Sequence, residues 1–361
     1  MKPEPRNQKI LVAMSGGVDS SVAAALLVEA GHEVAGATIR TWASNTCVDR
    51  NTRSCCGLTG VEDARSVAER IGIRYWVFNF EEEFKRHVVD YFASEYFKGR
   101  TPNPCIACNE HIKFRLFLKR ARQLGFDAIA TGHYAKLEQD HAGNCYIEEG
   151  VDPTKDQSYV LFPLDQDVLT NLYLPLGGYQ KSEIRQKARE LGLSAVMEKP
   201  DSQEICFIPS NDHGTFLQKE FDAPKQEGVI RTREGKILGK HSGYYQYTRG
   251  QRRGLGVAFT EKLYVLETIP ETNEVIVGTK EEVLDQEFRV ARVNWFLKSN
   301  QKNFQALVKI RSQHVKAPAQ IEILENQEVS VRFEEPQEAV TAGQAAVFYD
   351  GPKVLGGGWI A

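Results

Sequence analysis

The segment "KILVAMSGGVDSSVAAALLVEAG", residues 9–31, decides the fold. Its first six residues, Lys9–Met14, form an apolar run that is typical of a short buried strand. The turn "SGGVDSS" (Ser15–Ser21) follows at once, and then an Ala- and Leu-rich helix pattern that closes at Gly31, a natural helix end. A strand that enters a helix through a Gly-rich turn is an arrangement that presents backbone N–H groups to phosphate.

The residue types in this turn favour nucleotide binding over a simple connection between strand and helix. Gly16 and Gly17 allow the backbone to approach an anion closely because neither has a Cβ. The Ser20 hydroxyl adds a donor, and Asp19 could hold Mg²⁺ between phosphates. The turn matches neither G-x-x-x-x-G-K-[ST] nor G-x-G-x-x-G, so a Walker-type NTPase and a dinucleotide-binding fold are disfavoured.

Strand and helix patterns alternate through the first 200 or so residues. Further strands are predicted at "HEVAGATIR", "RYWVFNF" and "DAIATGH", so we expect a parallel sheet with helices on both faces and ligands at its carboxyl edge. Near the C-terminus, period-2 segments and an Asp350-Gly351 turn predict a small antiparallel barrel. The predicted fold class is α/β, with an N-terminal parallel-sheet domain (1–209), a small central domain (210–280) and a C-terminal antiparallel β-barrel (281–361).

Length and composition exclude several classes of protein. The 361 residues suit two or three domains, and 42% hydrophobic with 26% charged residues is typical of a globular chain. No window approaches the roughly 18 apolar residues that a bilayer span needs. The N-terminus "MKPEPRNQ" resembles no signal peptide, so we expect a cytoplasmic protein without a membrane partner. Seven cysteines are an odd and sparse set for a disulfide framework, which favours reactive or metal-binding thiols.

The net charge of −3 hides a basic segment. Residues 229–256 contain seven Lys or Arg side chains against a single acid, Glu234. Tyr244, Tyr245 and Tyr247 lie among these cations, a pattern that suits RNA, with cations on phosphates and rings on unpaired bases. The plainer alternative is a solvated hairpin with a basic surface.

Three cysteines are candidates for chemistry. Cys105 and Cys108 lie in "TPNPCIACNEHIKF", on a Pro-rich turn just before a helix predicted to begin at His111, and Cys206 lies in "KPDSQEICFIP". A nearby helix start can lower a cysteine pKa and so favour the reactive thiolate. A sulfur-transfer pair, an iron–sulfur site with one open iron, and inert thiols all remain open. A closed zinc site lacks a fourth ligand, and a thioredoxin-type pair would not follow a nucleotide loop.

Two resemblances narrow these alternatives. The turn "SGGVDS" resembles the PP-loop of ATP pyrophosphatases, which implies cleavage of ATP between the α and β phosphates and an adenylated substrate. "MSGGVDSSV", "TPNPCIACNEHIKF", "ATGHYAK", "KDQSYVL" and "KPDSQEICFIP", in this order, resemble the tRNA-specific 2-thiouridylase family over nearly the whole chain. The resemblance implies a tRNA substrate whose wobble uridine exchanges its 2-oxygen for sulfur, with AMP and pyrophosphate as further products. It also implies a sulfur donor, either a cysteine desulfurase or a sulfur-relay protein.

The resemblance also implies roles for single residues. Cys206 would carry a persulfide whose outer sulfur attacks the activated base, and Cys108 would resolve it and leave a disulfide to be reduced. Asp19 would act in catalysis with Mg²⁺. ATP would contact Ala13, Met14, Ser15, Gly16, Gly17, Val18, Asp19, Ser20, Ile39 and Gly132. The target base would face Asn103, Pro104 and Cys105, and the tRNA would contact His133, Lys155, Asp156, Gln157, Arg311, Ser312 and Gln344.

Two positions depart from the family pattern. Many members carry Asp where this chain has Cys105, so a carboxylate role there does not transfer. The additional thiol keeps open a [4Fe-4S] cluster with Cys105, Cys108 and Cys206 as ligands. Ile39 stands where we expect Met, a mild change for a residue that packs on adenine.

Two other functions remain as alternatives. A PP-loop amidoligase that acts on a small molecule would form AMP with ammonia or an amino acid and without RNA. A non-catalytic, metal-containing RNA-binding protein would bind tRNA without releasing pyrophosphate.

Overall fold

The structure is a computed structural model that describes residues 7–42, 58–193, 196, 205–208, 212–297 and 301–361. Cys47, Cys55, Cys56 and residues 199–204 of the motif before Cys206 lie outside this part of the chain. Three hydrogen-bonded sheets organise the described residues, and their elements are numbered here in chain order.

The N-terminal sheet has five parallel strands in the order β3-β2-β1-β4-β7. The strands are β1 Lys9–Ala13, β2 Glu33–Arg40, β3 Arg74–Asn79, β4 Ala128–Ala130 and β7 Leu172–Tyr173. Along β1, Ile10 and Val12 pack on one face while Leu11 packs on the other. Both faces of this strand are therefore buried, as in a sheet that helices cover on both sides.

Two groups of helices cover the faces. The side of Ile10 and Val12 carries α1 Val18–Glu29, α2 Leu58–Ile71 and α8 Lys181–Glu190. The opposite side carries α3 Glu81–Phe84, α4 Asp90–Phe97, α5 Pro104–Ala107 and α6 Phe117–Gln123. On that side π-helical turns, Lys85–Val89 and Cys108–Leu116, join α3 to α4 and α5 to α6 into two long runs. The short helix α7, Gln166–Thr170, precedes β7.

The helix predicted to begin at His111 begins earlier, at Pro104. The side-chain oxygen of Asn103 accepts hydrogen bonds from the backbone N–H groups of Cys105 (3.1 Å) and Ile106 (3.3 Å), so it caps the helix. Proline is well tolerated at the first helical position because that position needs no donor. Cys105 and Cys108 therefore lie inside the helical run and not on a turn before it, which corrects the prediction.

The central sheet has the order β10-β11-β8-β9 and follows one helix. Its elements are α9 His213–Glu220, β8 Gly228–Arg231, β9 Ile237–His241, β10 Tyr264–Ile269 and β11 Glu274–Gly278. The C-terminal strands are β12 Leu284–Trp295, β13 Asn303–Lys309, β14 Ala317–Ile323, β15 Val329–Glu338, β16 Ala345–Asp350 and β17 Lys353–Ile360. Because β12 pairs with both β15 and β17, these six strands close into an antiparallel barrel.

The N-terminal part of the chain and the barrel share one sheet. The hairpin of β5 (Ala135–Gln139) and β6 (Cys145–Glu149) joins the barrel where Glu148 pairs with Lys353. Cys145, the first residue of β6, is fully buried. The predicted α/β fold class, with its parallel sheet, small central domain and C-terminal barrel, is confirmed.

Candidate active site

The turn after β1 has the geometry of an anion-binding loop. Gly16 adopts φ +73°, a conformation that favours glycine. The Ser20 hydroxyl accepts a hydrogen bond from the backbone N–H of Ser15 (3.1 Å), which closes the turn. Gly17 is the N-cap of α1 and no side chain caps this helix start, so its first amide groups attract an anion.

The end of β4 lies directly against this turn. A Cβ on Gly132 would come within 2.8 Å of the backbone nitrogen of Ser20, so only glycine permits the close approach. On the other side, the backbone N–H of Met14 donates to the carbonyl of Ala37 in β2 (2.9 Å), two residues before the half-buried Ile39. The structure therefore brings the residues predicted to bind ATP to the carboxyl ends of β1, β2 and β4.

Asp19 is held by two side chains that the sequence reasoning missed. The Lys181 ammonium lies 2.8 and 2.7 Å from the two carboxylate oxygens of Asp19, and the Tyr134 hydroxyl donates to one of them at 2.6 Å. Lys181 is 7% exposed and its ammonium also lies 5.7 Å from the centre of the Tyr134 ring. Lys181 is the first residue of α8, the helix that follows β7, and a Lys at the start of a helix in the strand–helix alternation was the available signal.

This contact sets a condition for Mg²⁺ binding. The Asp19 carboxylate supplies hard oxygen ligands at the edge of the phosphate loop, which suits Mg²⁺. In this structure the same oxygens bind the Lys181 ammonium. The residues therefore fit a magnesium ion once the ammonium moves from Asp19 to another anion.

The predicted thiols have different exposures. Cys105 and Cys206 are exposed, whereas Cys108 is 7% exposed. Phe207, next to Cys206, packs its ring on those of Phe84 and Phe92 at centroid distances of 5.7 and 5.5 Å. These rings and Cys108 belong to the same hydrophobic cluster. The backbone segments that carry Cys108 and Cys206 are therefore anchored in one core.

An iron–sulfur cluster does not fit the thiols as the structure places them. Within residues 7–42, 58–193, 196, 205–208, 212–297 and 301–361, no three His, Cys, Asp or Glu side chains come together as a metal-binding group. Cys105, Cys108 and Cys206 are all in these ranges. We therefore derive no step through a cluster.

His133 is a buried ring at the end of β4. Its Nδ1 lies 2.7 Å from the Thr131 hydroxyl, and its ring packs against Phe114 at a centroid distance of 5.4 Å. Burial, with a smaller contribution from the positive charge of Lys113, lowers the pKa of His133 to about 3. The imidazole is therefore neutral at physiological pH, which limits it to neutral hydrogen bonding.

Several residues predicted to contact tRNA make hydrogen bonds within the protein. The Asp156 carboxylate accepts from the backbone of Gly150 and from both the backbone and the hydroxyl of Ser158. The side-chain oxygen of Gln157 accepts from the backbone N–H of Tyr134 (2.9 Å). These two side chains therefore hold the backbone of the loop beside Asp19 in place.

The predicted barrel contacts differ in exposure. Arg311 and Ser312 are exposed beyond the end of β13, and the Arg311 guanidinium donates to the carbonyl of Glu338 (3.2 Å). The Gln344 amide donates to the carbonyls of Thr101 (3.0 Å) and Pro102 (3.3 Å). Gln344 thus reaches the segment that leads into the Cys105 helix.

Fewer cations of the basic segment 229–256 are available to bind phosphate than its composition indicates. Three of its cations contact acids: Arg231 with Glu274 (2.9 Å), Lys240 with Glu227 (2.6 Å) and Arg249 with Asp285 (2.7 Å). The exposed cations of the segment are Arg233, Lys236, Lys240, Arg252 and Arg253.

The tyrosines of this segment mostly serve the core. Tyr245 is 2% exposed, and the Tyr244 hydroxyl donates to the carbonyl of Phe97 (2.7 Å). Tyr247 packs against the core of the central sheet. The prediction that these rings can stack on bases is therefore wrong for Tyr245, because a fully packed ring has no face for a base.

Comparisons with known proteins identify the family of this chain. Curated proteins named tRNA-specific 2-thiouridylase MnmA are 49% identical in Geobacter metallireducens (99% of this chain, 98% of that protein) and 44% identical in Clostridioides difficile (98% of each). The chain belongs to the tRNA-specific 2-thiouridylase family. Family models match in three parts: "tRNA methyl transferase HUP domain" at 8–210, "tRNA methyl transferase PRC-barrel domain" at 214–279 and "Aminomethyltransferase beta-barrel domain" at 285–360.

Solved structures share less with this member of the thiouridylase family. A 4-thiouridine synthetase in complex with RNA and ATP is 21% identical, with a TM-score of 0.38 over 60% of this chain and 50% of that one. NMN synthetase from Francisella tularensis is 14% identical, with a TM-score of 0.35 over 55% and 67%. The family assignment rests on the sequence relatives and not on these structures. No helix in the described part of the chain is long and apolar enough to cross a membrane.

The buried His133 predicts a pH dependence of stability. Its pKa is about 3 in the folded protein and near 6.5 in the unfolded chain, so the unfolded chain binds more protons between these values. Stability is therefore lost as the pH falls below about 6.5. Between pH 7 and pH 4 the unfolding free energy of the wild type should fall by about 3 kcal/mol more than that of His133→Asn, measured by urea unfolding. His141→Gln, at an exposed hairpin position, is the control, and identical pH profiles for wild type and His133→Asn would contradict the prediction.

Proposed function

We propose that the protein is an ATP-dependent tRNA sulfurtransferase that converts the wobble uridine of tRNA to 2-thiouridine. The proposal rests on one series of contacts. The helical run that contains Cys108 touches His133 through Phe114, and the next residue, Tyr134, donates to Asp19 of the phosphate loop. The helical run that carries Cys108 thus packs on the residue beside the one that binds the phosphate loop, in a family whose curated members are named 2-thiouridylases.

The first step activates the base. The 2-oxygen of uridine attacks the α-phosphorus of ATP, pyrophosphate leaves, and the oxygen becomes part of a phosphate ester that can later depart as AMP. The loop from Ala13 to Ser20 and Gly132 holds the phosphates, and Ile39 packs near the adenine. Magnesium, held by Asp19, would neutralise charge on the leaving pyrophosphate.

Lys181 has a part in this step. With its oxygens on a magnesium ion, Asp19 would release the Lys181 ammonium, and a 7% exposed ammonium group would be costly to bury without another anion. The pyrophosphate part of ATP is the anion that arrives with the metal. We therefore assign Lys181 to the phosphates of bound ATP and Tyr134 to orienting the Asp19 carboxylate.

Lys181→Met tests this assignment. Loss of a buried cation beside the leaving group should slow tRNA-dependent pyrophosphate release on the order of 100-fold. Lys187→Met, on the same helix and over the Tyr179 ring, is the matched control and should leave the rate unchanged. A wild-type rate for Lys181→Met, in a variant with unaltered thermal unfolding, would show that Lys181 serves only to neutralise Asp19.

The second step delivers sulfur. Cys206 is exposed, as a thiol that receives sulfur from another protein must be, and we propose that it carries the persulfide. The outer sulfur attacks C2 of the adenylated base and displaces AMP. Cys108 then attacks the inner sulfur of Cys206, which releases 2-thiouridine and leaves a Cys108–Cys206 disulfide that a thiol reductant restores. The buried position of Cys108 shields it until the base and Cys206 are in place.

A thiolation assay tests this division of roles. Protein, ATP, Mg²⁺, a cysteine desulfurase with L-cysteine as the source of sulfane sulfur, a thiol reductant and unmodified tRNA are incubated without added sulfide, and the digested nucleosides are analysed for 2-thiouridine by mass spectrometry. Cys108→Ala and Cys206→Ala should reduce the product to background, whereas Cys145→Ala, which alters a buried strand cysteine, should retain it. Thiolation at the wild-type rate in both variants would overturn the assignment of the thiols.

Measurements of pyrophosphate release and of tRNA binding separate the two alternative functions. An amidoligase would release pyrophosphate with a small amine and without tRNA. A metal-containing RNA-binding protein would bind tRNA and release no pyrophosphate, with or without Asp19→Asn.

The proposed surfaces for partners combine exposed side chains with residues that the family resemblance implies. We propose that Asn103, Pro104 and Cys105 face the target base and that the tRNA body contacts His133, Lys155, Asp156, Gln157, Arg311 and Ser312. Gln344, predicted with them, is assigned instead to the protein segment that it binds at Thr101 and Pro102. The exposed cations of residues 229–256 would bind its phosphates, with domain boundaries after residues 209 and 280. A cysteine desulfurase or a sulfur-relay protein would reach the exposed Cys206, and the reaction would take place in the cytoplasm, where thiols stay reduced.

A further inference from the structure

The segment between α4 and α5 has few backbone N–H groups that can donate hydrogen bonds to the rest of the protein. Pro102 and Pro104 have no backbone N–H, so the segment that leads to Cys105 is held mainly through its carbonyl groups. The backbone N–H of Thr101 is used as well, since it donates to the carbonyl of Ala342 in the barrel (2.9 Å). The conformation of this segment therefore depends on acceptors and donors that the barrel provides.

Gln344 supplies both donors of one side-chain amide to this segment. Its Nε2 donates to the carbonyl of Thr101 (3.0 Å) and to that of Pro102 (3.3 Å). The neighbouring Gly343 adopts φ +89°, and a Cβ there would lie 3.0 Å from the Thr101 carbonyl oxygen. The barrel turn at Gly343 therefore packs closely against the backbone of Thr101.

The contact continues into the helix that carries the thiols. Pro102 is followed by Asn103, whose side chain caps α5 through the backbone N–H groups of Cys105 and Ile106. A shift of the Pro102 carbonyl therefore moves the cap, and a moved cap reorients the first turn of the helix. Cys105 lies in that turn, and Cys108 follows it by three residues.

On the barrel side, Gln344 lies beside a predicted tRNA contact. It directly precedes β16, which pairs with β13 at Val347 and Lys309 in antiparallel register. This pairing places the end of β13 that leads to Arg311 next to the end of β16 that begins after Gln344. The backbone carbonyl of Gln344 accepts from the N–H of Ile360 (2.8 Å), so β17 holds the turn in place.

We propose that Gln344 is a positioning residue. Through it the barrel holds residues 101–103, and with them the start of the helix that carries Cys105 and Cys108, in place when tRNA is bound. This inference rests on the proposed function. It gives Gln344 a role different from a direct tRNA contact, because both hydrogens of its amide bind the protein. Removal of the amide should affect the rate of thiolation and not the affinity for tRNA.

Gln344→Met is the test, because methionine is similar in size, uncharged and unable to donate. Single-turnover thiolation at saturating tRNA should slow on the order of 10-fold, since small displacements of a reacting group are costly. The dissociation constant for tRNA, measured by filter binding, should not change. Gln320→Met, at an exposed position of β14, is the matched control and should match the wild type in both measurements.

Three results would overturn the proposal. Weaker tRNA binding with an unchanged rate at saturation would make Gln344 a direct tRNA contact, and unchanged values for both would show that its hydrogen bonds have no effect. If Gln344→Met fails to fold, Gln344→Asn, which is shorter by one methylene group, should give the same separation of rate from affinity. Binding loss in Gln344→Asn would likewise contradict the proposal.

A second measurement remains valid if the wild type forms no thiolated nucleoside, an outcome that would refute the proposed function alone. Amide hydrogen exchange of the peptide that spans residues 100–109 should accelerate on the order of 10-fold in Gln344→Met, because Thr101, Cys105 and Ile106 lose support. An exchange rate equal to that of the wild type would show that Gln344 does not position the segment.

Discussion

The ion pair between Asp19 and Lys181 joins parts of the chain that are 162 residues apart. Tyr134 completes the contact, so one carboxylate ties together the starts of two helices and the loop after β4. Lys181 is nearly enclosed, and removal of either charge would leave the other without its partner in a partly buried place. This contact defines the edge of the sheet at which the phosphate loop, His133 and the Cys108 helix meet.

Much of the fold could be predicted because its signals are local. The strand, Gly-rich turn and helix at residues 9–31 appear as β1, the loop and α1. The alternation of strands and helices gave the parallel sheet, and Asp350-Gly351 forms the turn between β16 and β17, with φ +57° at Gly351. The residues of the phosphate loop could be named in advance for the same reason, since they are consecutive.

Long-range contacts could not be predicted in this way. No local pattern connects Lys181 with Asp19, and none shows that the hairpin of β5 and β6 would extend the barrel. Asn-Pro is compatible both with a turn and with an Asn cap followed by Pro at the start of a helix, and α5 takes the second form, so the pair alone does not locate the helix start. The composition of the basic segment predicts an RNA contact for Tyr245 but does not reveal that both faces of its ring are buried.

In the proposed mechanism, the loop at Asp19 positions ATP so that the 2-oxygen of uridine bonds to the α-phosphorus before sulfur replaces that oxygen. The most direct test uses tRNA with ¹⁸O at the 2-position of the target uridine and mass analysis of the nucleotide product. The mechanism predicts AMP with one ¹⁸O for each 2-thiouridine formed. Unlabelled AMP, or ADP in place of AMP, would contradict it.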